Sequence, residues 1–184
     1  MFSALGEVRP LPGRTLATAD LADADLLLVR SVTQVNEALL AGTPVRFVGS
    51  ATSGLDHVDI DYLLRAGIGF AHAPGSNANS VVEYVLSVIA TVEGMLERLL
   101  SGGIMGIVGY GHIGSLLARR LDALGVKYRI YDPWLEPERV PCQAALEDLL
   151  TADVLSLHCE LTDRRPWPSR HLLRGEQLAS MRAD

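Results

Sequence analysis

The chain has 184 residues, of which 48% are hydrophobic and 21% are charged, and its formal net charge is −6. This composition is that of a globular protein and excludes intrinsic disorder, and the length suits one large domain or two small ones. The acidic balance argues against a nucleic-acid-binding surface, which would normally be basic. Lys127 is the single lysine and no GxxxxGK[ST] pattern occurs, which excludes a P-loop nucleotidase.

The cysteines and the apolar segments indicate the cellular compartment of the protein. Cys142 and Cys159 show no CxxC spacing, so the sequence predicts neither a disulfide framework nor a zinc site. The N-terminus has no signal-peptide pattern, and the longest apolar stretch, Val81–Val92, is too short to cross a membrane. We therefore expect a soluble cytoplasmic protein that binds neither nucleic acid nor membranes.

Short apolar runs alternate with helix-like segments in residues 1–76. The hydrophobic pattern predicts strands at 25–30, 45–48 and 68–71, and helices at 36–41 and 59–65. Strands and helices that alternate at this spacing predict a parallel sheet covered on both faces. We therefore assign residues 1–76 to one α/β domain with a flavodoxin-like parallel sheet.

Residues 77 to about 100 have the longest helical periodicity in the chain. Val82, Val85 and Ile89 recur at three- and four-residue steps, which predicts a single amphipathic helix with Asn79 or Ser80 as its N-cap. A hinge-like Ser-Gly-Gly follows at 101–103. We interpret residues 77–101 as a helix and hinge that connect two domains.

The alternation of strands and helices restarts at residue 102. Strands are predicted at 104–108, 128–131 and 154–157, and helices at 112–124, 143–150 and 176–181. A doubly wound dinucleotide-binding domain has six strands in two halves, and this region offers three. Residues 102–184 are therefore predicted to form an incomplete Rossmann-type domain, or half-domain.

The hexapeptide Gly109–Gly114 is a GxGxxG pattern between a predicted strand and a predicted helix. Gly109 allows a tight turn, Gly111 lets the backbone approach a pyrophosphate, and Gly114 lets the helix pack closely on the strand. His112 and Ile113 occupy variable positions of the motif at the start of the helix, whose N–H groups bind phosphates. The motif predicts a dinucleotide site, and the alternative is a glycine-rich turn that holds no ligand.

Asp132 ends the next predicted strand, 18 residues beyond Gly114. A carboxylate at this point accepts hydrogen bonds from ribose hydroxyls, and it repels a 2′-phosphate. The sequence therefore predicts NAD as the cofactor in preference to NADP.

Three further segments resemble a known family: residues 29–33 (VRSVT), 47–59 (FVGSATSGLDHVD) and 73–85 (APGSNANSVVEYV). Together with the glycine motif they resemble the D-2-hydroxyacid dehydrogenases over nearly the whole chain. The resemblance is strongest to a member that oxidises a small phosphorylated 2-hydroxy acid in vitamin B6 biosynthesis. It implies an NAD-dependent oxidoreductase, a substrate domain joined by a long helix to a Rossmann-type NAD domain, and a homodimer.

The resemblance also implies site residues. Ser31 and Thr52, which follow predicted strands, match family positions that contact the substrate. His158 and Cys159 match a segment that lines the nicotinamide ribose, with Glu160 in place of the family's proline. The residues by themselves leave another interpretation open for Ser31 and Thr52, because short hydroxyl side chains commonly bind the backbone of turns.

The family's catalytic arginine, glutamate and histidine lie downstream of the segment that ends at Asp184. We therefore expect no catalytic residue in this chain, and we expect it to be an inactive fragment that is shortened at its C-terminus and also at its N-terminus. Two alternatives stay open. One is another dehydrogenase of the family, of the phosphoglycerate or glyoxylate type, and the other is a non-catalytic NAD-binding interaction module.

An acidic cluster with one imidazole, made of Asp56, His57, Asp59 and Asp61, resembles a set of metal ligands. Asp56 and His57 are adjacent in the sequence, and the other two carboxylates begin a predicted helix. Acidic groups are favoured at a helix N-terminus without any metal. The sequence therefore predicts no metal site.

Overall fold

The computed structural model of the protein describes Ala4 and residues 6–181. The chain divides into two compact units, Met1–Ser76 and Asn77–Asp184, and each has its own three-stranded parallel sheet. The α/β fold with parallel sheets that the sequence predicted is therefore confirmed.

The first unit contains a sheet in the order β1-β2-β3. Its elements in chain order are a 3₁₀ turn (Thr18–Leu21), β1 (Leu26–Val29), α1 (Glu37–Leu40), β2 (Phe47–Ser50), α2 (Ile60–Ala66) and β3 (Gly69–His72). The register places Val29 beside Ser50, and Ser50 beside His72. Because the strands are parallel, the loops after all three begin at the same edge of the sheet.

Side-chain caps decide where the two helices of the first unit begin. Asn36 accepts a hydrogen bond of 3.1 Å from the Leu39 N–H, and Asp59 accepts one of 2.9 Å from the Tyr62 N–H. Each cap satisfies a donor that has no partner within the helix. Asp59, which the sequence placed at a helix start, is thus the N-cap of α2.

Helices α1 and α2 both pack on one face of the first sheet. Leu40 of α1 and Leu63 of α2 share a core with Leu27 of β1, whereas Leu26 and Leu28 on the opposite face are 56% and 52% exposed. The continuous hydrophobicity of β1 predicted that other elements would pack on both faces of the sheet. In the described residues of this unit one face is covered, because both helices contribute to the same core.

The second unit contains a sheet in the order β5-β4-β6. Its elements in chain order are α3 (Ala78–Thr91), α4 (Met95–Leu100), β4 (Ile104–Val108), α5 (His112–Leu124), β5 (Lys127–Tyr131), a 3₁₀ turn (Pro137–Arg139), α6 (Leu146–Leu149), β6 (Val154–Leu157) and α7 (Gly175–Ser180). The core of this unit joins the sheet to α3, α4 and α5 through Ile89, Leu99, Ile107 and Leu121. In the part of the chain that the structure describes, no helix combines the length and the apolar character needed to cross a bilayer.

The single helix predicted from residue 77 to about residue 100 is wrong, because the structure forms two helices there. Gly94 lies between α3 and α4 with φ of 70°, in the left-handed region that glycine adopts readily and that interrupts a right-handed helix. The start also differs, since Asn77 is the N-cap residue and the predicted caps Asn79 and Ser80 lie inside the first turn of α3.

Strand β6 pairs with β4 on the side opposite to β5, so that Val108 has Tyr131 as one neighbour and Leu157 as the other. A parallel bridge also joins Ile130 of β5 to Gln143, where the sequence predicted the start of a helix. The resulting order is residue 143, β5, β4 and β6. Counted along the chain within this unit, β4 is the first strand, β5 the second, the bridge at residue 143 the third and β6 the fourth. The order is therefore 3-2-1-4, as in doubly wound sheets, in which ligands bind where the strand order reverses.

Candidate functional site

The glycine motif forms a tight turn between β4 and α5. Gly109 has φ of 93°, and its N–H donates a hydrogen bond of 2.8 Å to the carbonyl oxygen of Tyr131. A Cβ atom at Gly109 would lie 2.7 Å from the backbone nitrogen of Cys159. A Cβ atom at Gly114 would overlap the carbonyl oxygen of Gly109. Packing within the protein therefore requires glycine at both positions.

Gly111 is different, because apart from its chain neighbours no atom of the described residues lies within 4 Å of the position of a Cβ atom there. Its φ of −79° lies outside the left-handed region that favours glycine, so the packing of the described residues does not require glycine at this position. The open space lies at the N-terminus of α5, where exposed His112 and half-buried Ile113 begin the helix. The first N–H groups of a helix have no partner inside it and attract anions. A pyrophosphate could therefore reach the backbone at this point.

Asp132 lies at the end of β5, beside the glycine turn. One carboxylate oxygen accepts a hydrogen bond of 2.8 Å from the Tyr110 N–H, and the other accepts one of 3.1 Å from the Trp134 N–H. An ionised carboxylate offers about four acceptor sites, so each oxygen can still accept a hydrogen bond from a hydroxyl group of a ligand. The two backbone bonds hold the negative charge of Asp132 at this edge of the sheet.

Strand β6 brings His158 and Cys159 against the glycine turn. The His158 N–H donates a hydrogen bond of 2.7 Å to the Val108 carbonyl oxygen, and its Nε2 lies 2.9 Å from the Ser156 Oγ. Partial burial lowers the pKa of His158, which favours the neutral imidazole. Partial burial raises the pKa of the Cys159 thiol, and the Asp132 carboxylate raises it further, so the thiol stays protonated at neutral pH.

The sequence motifs do not identify Ser156, which the structure places beside the His158 ring. It lies two residues before His158 at the end of β6, and residues two apart on a strand share a face. That spacing is the signal that could have identified it as the partner of the imidazole.

The candidate substrate residues lie in loops after neighbouring strands of the first unit. Ser31 is exposed in the turn after β1, and Thr52 is half-buried in the turn after β2. The Ala51 N–H donates a hydrogen bond of 3.0 Å to the Val29 carbonyl oxygen, which extends the pairing of the two strands to the base of both loops. The fold therefore brings these two predicted positions to one edge of the first sheet.

A buried polar network lies beneath Thr52. The Ser50 Oγ is 2.7 Å from the Thr52 Oγ1 and 3.1 Å from the His57 Nε2, and the Thr52 hydroxyl donates to the Gly54 carbonyl oxygen at 3.1 Å. His57 is 2% exposed, and its Nδ1 has no hydrogen-bond partner among the described residues. If the Thr52 proton is directed to Gly54, the Ser50 proton is directed to Thr52 and His57 carries its proton on Nε2. The imidazole thus supports the turn.

In the described part of the chain, the histidine, cysteine and acidic side chains form no group of three or more that could hold a metal ion. His57 faces Ser50, and Asp59 caps α2, so these two members of the acidic cluster have partners within the fold.

Residues 8–165 match the family model described as D-isomer specific 2-hydroxyacid dehydrogenase, catalytic domain. The chain is 45% identical over 183 residues to the erythronate-4-phosphate dehydrogenase of Hahella chejuensis, an alignment that covers 100% of this chain and 48% of that protein. The chain thus spans about half the length of the relatives it matches.

Two solved structures with bound cofactor resemble the fold of this chain. One is the NAD⁺-bound 3-phosphoglycerate dehydrogenase of Entamoeba histolytica, with 28% identity, a TM-score of 0.67, and 80% of this chain and 50% of that chain covered. The other is the D-lactate dehydrogenase of Aquifex aeolicus in complex with NAD and lactic acid, with 25% identity, a TM-score of 0.70, and 91% and 56% covered. The family resemblance inferred from the sequence is therefore confirmed, and the chain belongs to the D-isomer specific 2-hydroxyacid dehydrogenases, a family of oxidoreductases.

Proposed function

We propose that this chain contributes the NAD-binding turn and the substrate-binding loops of a dehydrogenase that oxidises C2 of 4-phospho-D-erythronate in pyridoxal 5′-phosphate biosynthesis. The observation that carries the proposal is the open glycine turn, with Asp132 and His158 beside it at the edge where strand order reverses. The 45% identity to an erythronate-4-phosphate dehydrogenase supports this substrate over others of the family.

The residues of the turn fit a dinucleotide. The backbone from Gly109 to Gly114, including the N–H groups of His112 and Ile113, would hold the pyrophosphate in the space above Gly111. The Asp132 carboxylate would accept hydrogen bonds from the adenosine ribose and would disfavour the 2′-phosphate of NADP.

The nicotinamide half would lie toward β6. His158 and Cys159, whose pKa values are shifted by partial burial toward the neutral imidazole and thiol, would line the nicotinamide ribose. NAD, when bound, accepts the two electrons and one proton that leave C2 as a hydride, and a general base takes the hydroxyl proton.

Ser31 and Thr52 would contact oxygens of the substrate. Short hydroxyl side chains at the carboxyl ends of β1 and β2 can hold a carboxylate or a phosphate without crowding. The Ser50 hydroxyl would hold the Thr52 side chain in position, and the Thr52 proton, which is directed to the Gly54 carbonyl oxygen in this structure, would turn to the substrate oxygen.

We further propose that these residues bind ligands but do not complete the catalytic site, and that the whole enzyme is a cytoplasmic homodimer. The resemblance places the family's catalytic arginine, glutamate and histidine beyond residue 184. A positioned general acid–base contributes about 10²–10⁴-fold to rate, and stabilisation of the developing charge contributes roughly another 10²–10³-fold.

Two measurements test the proposal. Isothermal titration calorimetry of the chain with NAD should show saturable binding, whereas NADH formation from 4-phosphoerythronate should be undetectable. Turnover of 4-phosphoerythronate by this chain at a normal enzymatic rate would show that the catalytic residues lie within residues 1–184.

A chimera tests the substrate. The segment of the Hahella chejuensis relative that follows the aligned region would be fused after Asp184, and NADH formation would be compared among 4-phosphoerythronate, 3-phosphoglycerate and glycolate. We expect 4-phosphoerythronate to be the preferred substrate. A preference for another acid would favour another dehydrogenase of the family. A folded chimera that binds NAD and oxidises none of them would favour a non-catalytic NAD-binding module.

A further inference from the structure

Both tryptophans of the chain lie together at the carboxyl edge of the second sheet. Trp134 follows Asp132 after β5, and Trp167 belongs to the long loop between β6 and α7. Their ring centroids are 5.4 Å apart and their planes are nearly perpendicular at 88°. The Arg164 guanidinium lies 5.3 Å from the centroid of the Trp134 ring. We call these three residues the tryptophan cluster.

The loop that carries Trp167 and Arg164 is closed at its base by its own hydrogen bonds. The Thr162 N–H donates to the Ser169 Oγ at 2.8 Å, the Ser169 N–H donates back to the Thr162 carbonyl oxygen at 2.9 Å, and the Ser169 Oγ donates to the Glu160 carbonyl oxygen. Arg164 and Trp167 lie between these closing residues. Their position on the loop is therefore held by structure within the loop.

The contact between the tryptophans crosses the glycine turn. Strand β6, which leads into the Trp167 loop, is two strands away from β5, which leads into Trp134, and two strand spacings are about 10 Å. The two segments together must therefore reach across the end of β4 for the rings to touch. Trp167 thus lies against the ring of Trp134, two residues beyond Asp132.

Residues Trp134 and Trp167 are 43% and 45% exposed. Planar rings left at this exposure can bury further apolar area against a flat ligand. The backbone of Trp134 is held beside Asp132, because its N–H donates a hydrogen bond to the Asp132 carboxylate.

We infer that the tryptophan cluster is a stacking platform for the adenine ring of the dinucleotide. The inference rests on the proposed NAD site, in which Asp132 holds the adenosine ribose. Adenine is bonded directly to that ribose, so it must lie close to the residues that follow Asp132. Nucleobases stack well on aromatic side chains, and a neighbouring guanidinium adds cation–π attraction.

Tryptophan fluorescence tests the inference directly, because both tryptophans of the chain belong to the cluster. The chain is titrated with NAD, AMP and nicotinamide mononucleotide while tryptophan emission is recorded, and calorimetry measures binding independently. NAD and AMP should change the emission in proportion to the calorimetric saturation. Nicotinamide mononucleotide should leave it unchanged, and an equal response to this compound would overturn the inference.

Substitutions separate stacking from a structural role. Trp134→Ala should weaken the binding of AMP and NAD by about tenfold, the order expected for the loss of one base–aromatic stack, and Trp134→Phe should restore most of the affinity. Tyr84→Ala removes a 70% exposed ring from α3 and is the matched control. Unchanged affinity in Trp134→Ala and Trp167→Ala, with NAD still bound, would overturn the platform alone. A failure of the unmodified chain to bind any adenine nucleotide would overturn the NAD site and the platform together.

Discussion

The Asp132 carboxylate accepts a 2.8 Å hydrogen bond from the backbone N–H of Tyr110, which joins the end of β5 to the glycine turn after β4. The acidic residue and the glycine motif are 18 residues apart in the sequence but form one bonded unit in the fold. The bond holds a negative charge beside the backbone groups that would bind the pyrophosphate. Substitutions at Asp132 therefore test nucleotide choice.

Asp132→Asn should narrow the preference for NAD over NADP by about tenfold, roughly 1.4 kcal/mol, because the repulsion between the carboxylate and a 2′-phosphate is removed. Calorimetric affinities for both nucleotides measure the effect. Asp25→Asn removes the same charge from an exposed pair with Arg46 in the first unit and is the matched control. Equal affinities of the unmodified chain for NAD and NADP would contradict the role of Asp132.

Two glycines of the motif should respond differently to alanine. Gly114→Ala should lower the free energy of unfolding by about 1–3 kcal/mol, because its Cβ atom overlaps the Gly109 carbonyl oxygen. Gly111→Ala should fold like the unmodified chain, because its Cβ atom would enter open space. It should nevertheless bind NAD more weakly, because that space is where the pyrophosphate is proposed to lie. Urea unfolding and calorimetry on both variants check this contrast. Normal NAD binding by Gly111→Ala would place the pyrophosphate elsewhere.

The partly buried His158 should make the free energy of unfolding depend on pH. Burial lowers its pKa in the folded chain below the ordinary value of 6.5. Between the folded-state pKa and about 6.5 the unfolded chain therefore binds more protons, so the free energy of unfolding falls as pH decreases through this range and recovers above it. The free energy of unfolding, measured with urea between pH 5 and pH 8, should depend less steeply on pH in His158→Asn than in the unmodified chain.

Exposed His112→Asn is the matched control for the loss of one imidazole. The difference in slope between the two variants isolates the contribution of the partly buried His158 ring. Identical slopes in the unmodified chain and in His158→Asn would contradict the prediction.

Thr52→Val should weaken the binding of 4-phosphoerythronate by about tenfold or more. Valine has nearly the same shape as threonine but lacks the hydroxyl that would donate a hydrogen bond to a charged oxygen of the substrate. Thr52→Ser keeps the hydroxyl and should retain most of the affinity. Thr43→Val, which removes a hydroxyl bonded to the Leu40 carbonyl oxygen, is the control. Calorimetry measures all three variants, and unchanged affinity in Thr52→Val would assign this hydroxyl to the turn alone.

Local patterns in the sequence were sufficient to predict several elements of the second unit. The predicted bounds of β4, α5 and β6 agree with the structure. Continuous hydrophobicity marks a buried strand, and the residues from His112 to Leu124 have helical periodicity that ends before Gly125, whose φ of 71° stops the helix. The helix break at Gly94 was missed because apolar periodicity continues on both sides of it.

The candidate site was predictable where its signal is a short motif. Gly109, Gly114 and Asp132 belong to a spacing that has a physical reason at each position, so the sequence by itself identified them as a nucleotide-binding pattern. The sequence by itself also determined the α/β class, through the alternation of strands and helices.

Only the tertiary structure decided which strands are neighbours. The pairing of β6 with β4 brings His158 to the glycine turn, and the loop after β6 brings Trp167 to Trp134. The contact between Ser50 and His57 likewise depends on how the turn after β2 folds back. Such contacts join segments whose local patterns contain no information about each other, because strand order and loop path are set by packing of the whole sheet. The sequence therefore determined the class of fold and the motif, and the packing of the chain determined which side chains surround that motif.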